Sequence, residues 1–200
     1  MLDQCFPRHH IIPSGILELG TFLGTSTRVF SDAFKDAKIV TIDIMDRKID
    51  FESRGNIETL VGSQTDEKLL SQTISTSFKN GVDLIIDDAS HIGVLSKISF
   101  DILFPLLNSG GAYFIEDWGT GYWDESVDGS RFQSFPLFAV EGCIPKRLPS
   151  HDFGMVGFVK SLVDYTHESA IRRSHASEVR HASRISSLEF SEGVCMLVKA

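Results

Sequence analysis

Short apolar runs alternate with amphipathic segments over the first 117 residues, and no other feature restricts the fold as much. "GILELGT" (15–21), "KIVTIDI" (38–44), "NIETLVGS" (56–63), the start of "VDLIIDDASHI" (82–92) and "AYFIED" (112–117) read as strands. Between them, "TSTRVFSDAFKD" (25–36) carries Val29, Phe30, Ala33 and Phe34 at helical spacing. "DEKLLSQTISTSF" (66–78) and "GVLSKISFDILFPLL" (93–107) also read as helices, the second closed by "NSGG" (108–111) as a C-cap. Strands that alternate with helices predict an α/β fold, a mostly parallel central sheet flanked by helices. Right-handed crossovers then bring the strand C-termini to one edge, where ligands of such sheets bind. The tail differs. A helix is expected over 153–168 and an antiparallel hairpin over 185–200, turning at Glu192-Gly193. The basic stretch 171–184, with Arg172, Arg173, Arg180 and Arg184, fits a helix, a loop or a contact surface.

The chain has 200 residues, which suits one domain spanning 1–200. Its formal charge of −8 argues against non-specific binding to nucleic acid or to an anionic membrane. Cys5, Cys143 and Cys195 are odd in number and far apart, so neither a disulfide framework nor a zinc site is expected. No apolar run reaches the roughly 18 residues of a membrane span. These features predict a soluble, cytoplasmic protein with no membrane partner, and they leave homo-oligomerisation open.

"ELGTFLGTS" (18–26) joins the first strand to the first helix. Gly20 and Gly24 do not make the GxGxxG that cradles a pyrophosphate, so a dinucleotide is disfavoured. Gly20 still permits a tight turn and the close approach of a ribose or amino-acid moiety. Glu18 precedes the turn, where a carboxylate meets an amino group, and Thr25 and Ser26 suit the helix cap. Asp43 ends the second strand, where an acid accepts hydrogen bonds from ribose hydroxyls. Ser63 and Gln64 follow the third strand at the same edge. Together these residues suggest S-adenosylmethionine. The bland alternative, packing glycines and surface acids, fits each residue singly but not the set.

Asp88 closes the fourth strand, and Glu116 and Asp117 close the fifth. If those strands are neighbours, three carboxylates meet, repel and raise one another's pKa. A divalent cation relieves that repulsion, and oxygen donors with open positions suit Mg²⁺. His91 begins the next helix beside the metal. Histidine titrates near neutrality, which suits a general base. Ser90 suits the cap of that helix, and Asp87 suits the cofactor or the backbone. The chemistry expected is methyl transfer to a hydroxyl that the metal acidifies and His91 deprotonates.

"ELGTFLGTS", "IIDDASHI", "SFDILFPLLNSGGAYFIEDWGTGYW" and the closing hairpin resemble Mg²⁺-dependent O-methyltransferases acting on macrolide and rhamnosyl sugars, with cephalosporin-hydroxylase-type relatives. The resemblance covers roughly residues 14–125 and parts of 153–200. It implies a Rossmann-like methyltransferase fold that binds S-adenosylmethionine. It also implies Asp88, Glu116 and Asp117 as metal ligands and His91 as base. Glu18, Gly20, Asp43, Ser63 and Asp87 would line the cofactor pocket. Tyr122 and Trp123 match an aromatic pair near a sugar or glycoside acceptor. Ala89 departs from the usual glycine, Trp118, Gly119 and Gly121 replace more polar residues, and the N-terminal extension of many relatives is nearly absent. Two other readings stay open: a metal-assisted hydrolase or hydroxylase on the same scaffold, and a non-catalytic nucleoside-binding protein.

Overall fold

The computed structural model describes residues 11–51, 54–131, 152–175 and 185–200. Gly15–Leu19 (β1), Lys38–Asp43 (β2), Ile57–Val61 (β3), Val82–Asp87 (β4) and Leu107–Glu116 (β5) pair in parallel. Ile185–Phe190 (β6) and Val194–Lys199 (β7) form the expected hairpin, turning at Gly193 with φ 79°. The sheet order is β3-β2-β1-β4-β5-β7-β6. The hairpin therefore docks through its second strand, β7, which pairs antiparallel with β5.

Alternation along the strands separates two cores. Ile85, Tyr113, Ile115, Cys195 and Leu197 face one side, with Leu70, Phe100, Leu103, Phe158 and Leu162 packed on them. Leu84, Ile86, Ala112, Phe114, Met196 and Val198 face the other, with Phe30 and Ile11. The helices over the first side are Glu67–Ser77 (α2), Gly93–Leu103 (α3) and Gly154–Tyr165 (α4), and Thr25–Ala33 (α1) covers the second. The Phe100 ring stacks on Phe104 at 4.7 Å and meets Tyr113 edge-on at 5.3 Å. Such pairs add about 0.5–1.5 kcal/mol beyond the area they bury.

Several sequence expectations need correction. "NSGG" (108–111) is not a helix C-cap, because α3 stops at Leu103 and Leu107–Glu116 is strand throughout. Pro105 explains the early stop: it has no N–H to continue the helix, and residues 104–106 tighten into a 3-10 turn. Thr25 and Ser26 are not caps either. The cap position falls on Gly24, left-handed at φ 68°, and Ser26 Oγ is committed to Glu18. The expected helix over 153–168 breaks after Tyr165, and a separate helix, Glu168–His175 (α5), takes up the start of the basic stretch. Arg180 and Arg184 lie outside the described residues, as do Cys5 and Cys143. Cys195 is a buried free thiol in β7.

Ser90 does not cap α3. Its hydroxyl accepts from Ile92 N, which precedes the helix. Neither Ile92 nor Phe153, the residues before α3 and α4, offers a side-chain cap. Asp128, buried in the loop after β5, supplies both: its Oδ2 accepts from Gly93 N at 2.7 Å and from Met155 N at 2.8 Å. A buried N–H left without a partner costs about 1–3 kcal/mol, so one carboxylate stands in for two missing caps.

Candidate active site

The strand order reverses between β1 and β4, and the residues after their C-termini form the site. Gly20 follows β1 with φ 97°, a left-handed conformation that glycine adopts freely. A Cβ there would lie 2.1 Å from Asp88 O, so the turn after β1 is pressed onto the chain that leaves β4. Asp88 N donates to Leu19 O at 2.9 Å and locks the two ends together.

On one side of this junction lies a cavity of about 170 Å³. Ile42, Ile44 and Leu95 give it apolar walls, and Asp43, Ser63 and Gln64 give it polar ones. Asp43 closes β2 at 7% exposure. Its Oδ2 accepts from Thr21 N and Phe22 N and ion-pairs with Arg47 Nε at 2.9 Å, and its Oδ1 accepts from Met45 N. Burial pushes this carboxyl up, but the Arg47 side chain and the Met45 and Phe22 N–H groups outweigh it and hold the pKa low. Arg47, which the sequence did not single out, also lies 5.7 Å over the Phe22 ring.

Glu18 and Asp87 are at the site but face inward. Glu18 is fully buried, and Ser26 Oγ and Thr27 Oγ1 donate to its two oxygens. Burial raises its pKa, against the hydroxyls of Ser26, Thr27 and Thr41. Asp87 is 1% exposed and accepts from Gln64 Nε2 at 3.3 Å. Burial lifts its pKa to about 6, against Ser96, the Ala89 N–H and His91. Gln64 in turn donates to Ser99 Oγ on α3. Asp87 therefore steadies a cavity wall from behind. Thr25 is exposed at the first turn of α1, and Ser26 reaches back to Glu18.

On the other side of the junction the acids gather. His91 Nε2 lies 3.8 Å from Asp88 Oδ1 and 4.0 Å from Asp117 Oδ2. One donor atom from each of the three fits within 4.8 Å, as a shared metal ion requires. Pairing of β4 with β5 brings this about, because Asp87 sits opposite Ile115 and both chains end together. His91 and Asp117 both have left-handed backbones, at φ 53° and 51°, conformations that cost energy outside glycine. Glu116 stands outside this triplet but within its field. Burial, then Asp88, Asp117 and Glu18, lift its pKa to about 7. Burial and Asp117 also raise Asp88, against His91. Repelling acids around one imidazole are a donor set for a hard divalent cation, with histidine nearer to the centre than the sequence implied.

The chain leaves β5 through a 3-10 turn, Trp118–Tyr122. Trp118 Nε1 donates to Ser191 O in the hairpin turn, and its ring meets Tyr122 and Phe190. Tyr122 and Trp123, five and six residues after Asp117, are exposed at 40% and 60%.

No protein-family model matches the chain. Mycinamicin VI 2''-O-methyltransferase of Micromonospora griseorubida is 39% identical over 100 residues, half of this chain and 24% of its own length. The other curated relatives that the chain matches are likewise macrolide and sugar O-methyltransferases. A rhamnosyl tetracenomycin-C 2'-O-methyltransferase of Streptomyces olivaceus is 32% identical over 146 residues, 73% of this chain and 33% of the relative. The chain thus spans a third or less of the curated relatives it matches. Among solved structures, the MycE methyltransferase of mycinamycin biosynthesis, in complex with Mg and SAH, aligns over the whole chain. The TM-score is 0.69 at 27% identity, and the alignment takes in 48% of that protein. A further MycE structure also holds mycinamycin VI. The fold is the Rossmann-like fold of S-adenosylmethionine methyltransferases, with antiparallel C-terminal strands.

Proposed function

We propose that this chain forms the catalytic part of a divalent-metal-dependent O-methyltransferase. It transfers the methyl of S-adenosylmethionine to a hydroxyl of a sugar or glycosylated natural product. The observation that carries the proposal is the adjacency of two halves: the Gly20–Asp43–Gln64 cavity and the Asp88–His91–Asp117 cluster share the junction between β1 and β4. The residues fit both groups. Asp43 Oδ1, which accepts a single N–H, has a lone pair left for a ribose hydroxyl, the apolar walls suit an adenine ring, and three acids repel one another in want of a cation. Asp88 and Asp117 would hold Mg²⁺, with Glu116, outside the triplet but within the field of both acids, as the third carboxylate.

When bound, the sulfonium donor supplies an electrophilic methyl and the divalent ion acidifies a nearby hydroxyl. The chain supplies the rest. Asp43, Ser63 and Gln64 orient the nucleoside, and Asp87 holds the Gln64 amide. His91 Nδ1 is buried with no hydrogen-bond partner among the described residues, and Nε2 faces the acids. Nε2 is therefore the atom that takes the acceptor's proton. Tyr122 and Trp123 offer apolar faces to a sugar ring. Holding donor and acceptor together removes much of the remaining barrier.

The proposal is tested by calorimetry with S-adenosylhomocysteine, with and without Mg²⁺, followed by methyl transfer from labelled S-adenosylmethionine to deoxysugar and diol acceptors. Binding and chelator-sensitive transfer are expected. Metal-dependent hydrolysis or hydroxylation without methyl transfer would replace this reading by the other enzyme class.

Glu116 gives a pH prediction. Its folded pKa, about 7, lies above the ordinary 4.5. The folded chain keeps a proton that the unfolded chain has released, so the metal-free protein loses stability as pH rises through this window. A cation needs the carboxylate form. Affinity for Mg²⁺ is therefore expected to rise as pH approaches about 7 and to level off above it. A flat calorimetric affinity across this range would remove Glu116 from the ligand set.

A further inference from the structure

Asp128 is absorbed by neither the cavity nor the acid cluster, yet it touches the segments that carry both halves of the acceptor side. Its Oδ2 receives the first N–H of α3, from Gly93, and an N–H of the first turn of α4, from Met155. Gly93 and Gly154 make this convergence possible: a Cβ on Gly93 would lie 2.1 Å from Gly154 C. A Cβ on Gly154 would lie 2.3 Å from Asp128 Cγ. Two helix starts, each with its positive end toward the same point, call for a carboxylate there.

On the α3 side, His91 lies two residues before Gly93. Its left-handed backbone is strung between two anchors, the Asp88 N to Leu19 O bond and the Gly93 N to Asp128 bond. On the other side, Asp128 ends a loop folded tightly on the aromatic pair. Ser126 Oγ donates to Thr120 O and accepts from Gly129 N at 2.9 Å, and Ser126 N donates to Trp123 O at 3.0 Å. A Cβ on Gly129 would lie 2.1 Å from Trp123 O, so this loop has no slack.

We propose that Asp128 is a positioning residue that sets His91 against the Tyr122–Trp123 segment by gripping the starts of α3 and α4. The proposal rests on the methyltransferase reading for what His91 does, but not for where His91 sits. Asp128 is 35 residues from Gly93 and 27 from Met155, so no local sequence pattern announces it.

Asp128→Ala and Asp128→Asn test the proposal through three readouts: methyl-transfer turnover, S-adenosylhomocysteine affinity by calorimetry, and the His91 ring signals in NMR spectra of the metal-free protein. The His91 signals are identified by their loss in His91→Ala. Loss of both anchoring bonds in Asp128→Ala is expected to lower turnover at least about tenfold, since small misplacements of a reacting group are costly. Cofactor affinity is expected to fall less than turnover, because Asp43, Ser63 and Gln64 stand on segments that Asp128 does not touch, although Leu95 of α3 shares a cavity wall. The His91 ring signals are expected to move and those of His167 to stay. Asn keeps an oxygen for both N–H groups but loses the charge. It is expected to lower turnover about threefold and to shift the His91 signals less, in the same direction. Wild-type turnover and unmoved His91 signals in both variants would overturn the proposal. So would equal losses of turnover and cofactor affinity, which would reduce Asp128 to a general support of the fold. If Asp128→Ala does not fold, Asp128→Asn is judged by the same criteria. A wild-type protein that transfers no methyl group would sink the functional reading instead, and the His91 signals would still decide the positioning.

Discussion

His91→Ala is expected to lower methyl transfer by about 10²–10⁴-fold, the span usual for a lost general base, with S-adenosylhomocysteine affinity nearly unchanged. The separation follows from geometry. The imidazole lies 3.8 and 4.0 Å from carboxylate oxygens of Asp88 and Asp117, and it does not line the cavity that Asp43 and Gln64 share. The same closeness admits a second role, because the imidazole belongs to the triplet that fits around one ion. Two measurements separate base from ligand. Single-turnover methyl transfer reads the proton step, and Mg²⁺ calorimetry reads the metal. A base costs the first and spares the second, whereas a ligand costs both. Full turnover in the variant would give the proton to another group.

Asp88→Ala is expected to weaken Mg²⁺ binding about a hundredfold or more and to abolish turnover with it, as loss of a charged ligand does. It has an unusual companion effect. Burial comes first in raising Glu116, but Asp88 is the largest of the charges that add to it. Removing Asp88 relieves that repulsion, so the metal-free variant is expected to unfold no earlier than wild type at neutral pH. The Asp88 backbone bond to Leu19 survives the substitution. Wild type should gain thermal stability as Mg²⁺ is added, because only the folded state binds the ion, and the variant should gain none. A variant still stabilised by Mg²⁺ would place the ion elsewhere.

Much of the fold was legible because the central strands β1, β2 and β4 are buried on both faces, unlike the half-exposed edge strand β3. Runs such as "KIVTI" and "DLIID" have no polar face and fit only a central parallel strand. The boundary after α3 was misread because Pro105 acts on backbone hydrogen bonding, while apolar spacing continues past it through Leu106 and Leu107. At the site, strand-end placement brings Asp88 and Asp117 together once β4 and β5 are taken as neighbours, but it counts Glu116 as the third member, whereas the structure groups His91 with the two acids. The inward turn of Glu18 and Asp87 was not, because period-two alternation gives a side but not which hydroxyl or amide waits there. Arg47 and Asp128 were missed for a related reason. Each is an ordinary charged residue in a loop, and its partner is fixed by tertiary folding rather than by spacing.

The placement of β7 between β5 and β6 governs the order in which the molecule can be completed. β5 emerges from the ribosome with β4 already available on one flank, but its other flank must wait for residues 194–199. Over that interval Tyr113 to Glu116 form a bare, apolar sheet margin, a known template for mispairing between chains. The strand that delivers the acids of the site is therefore also the one most dependent on late-made residues.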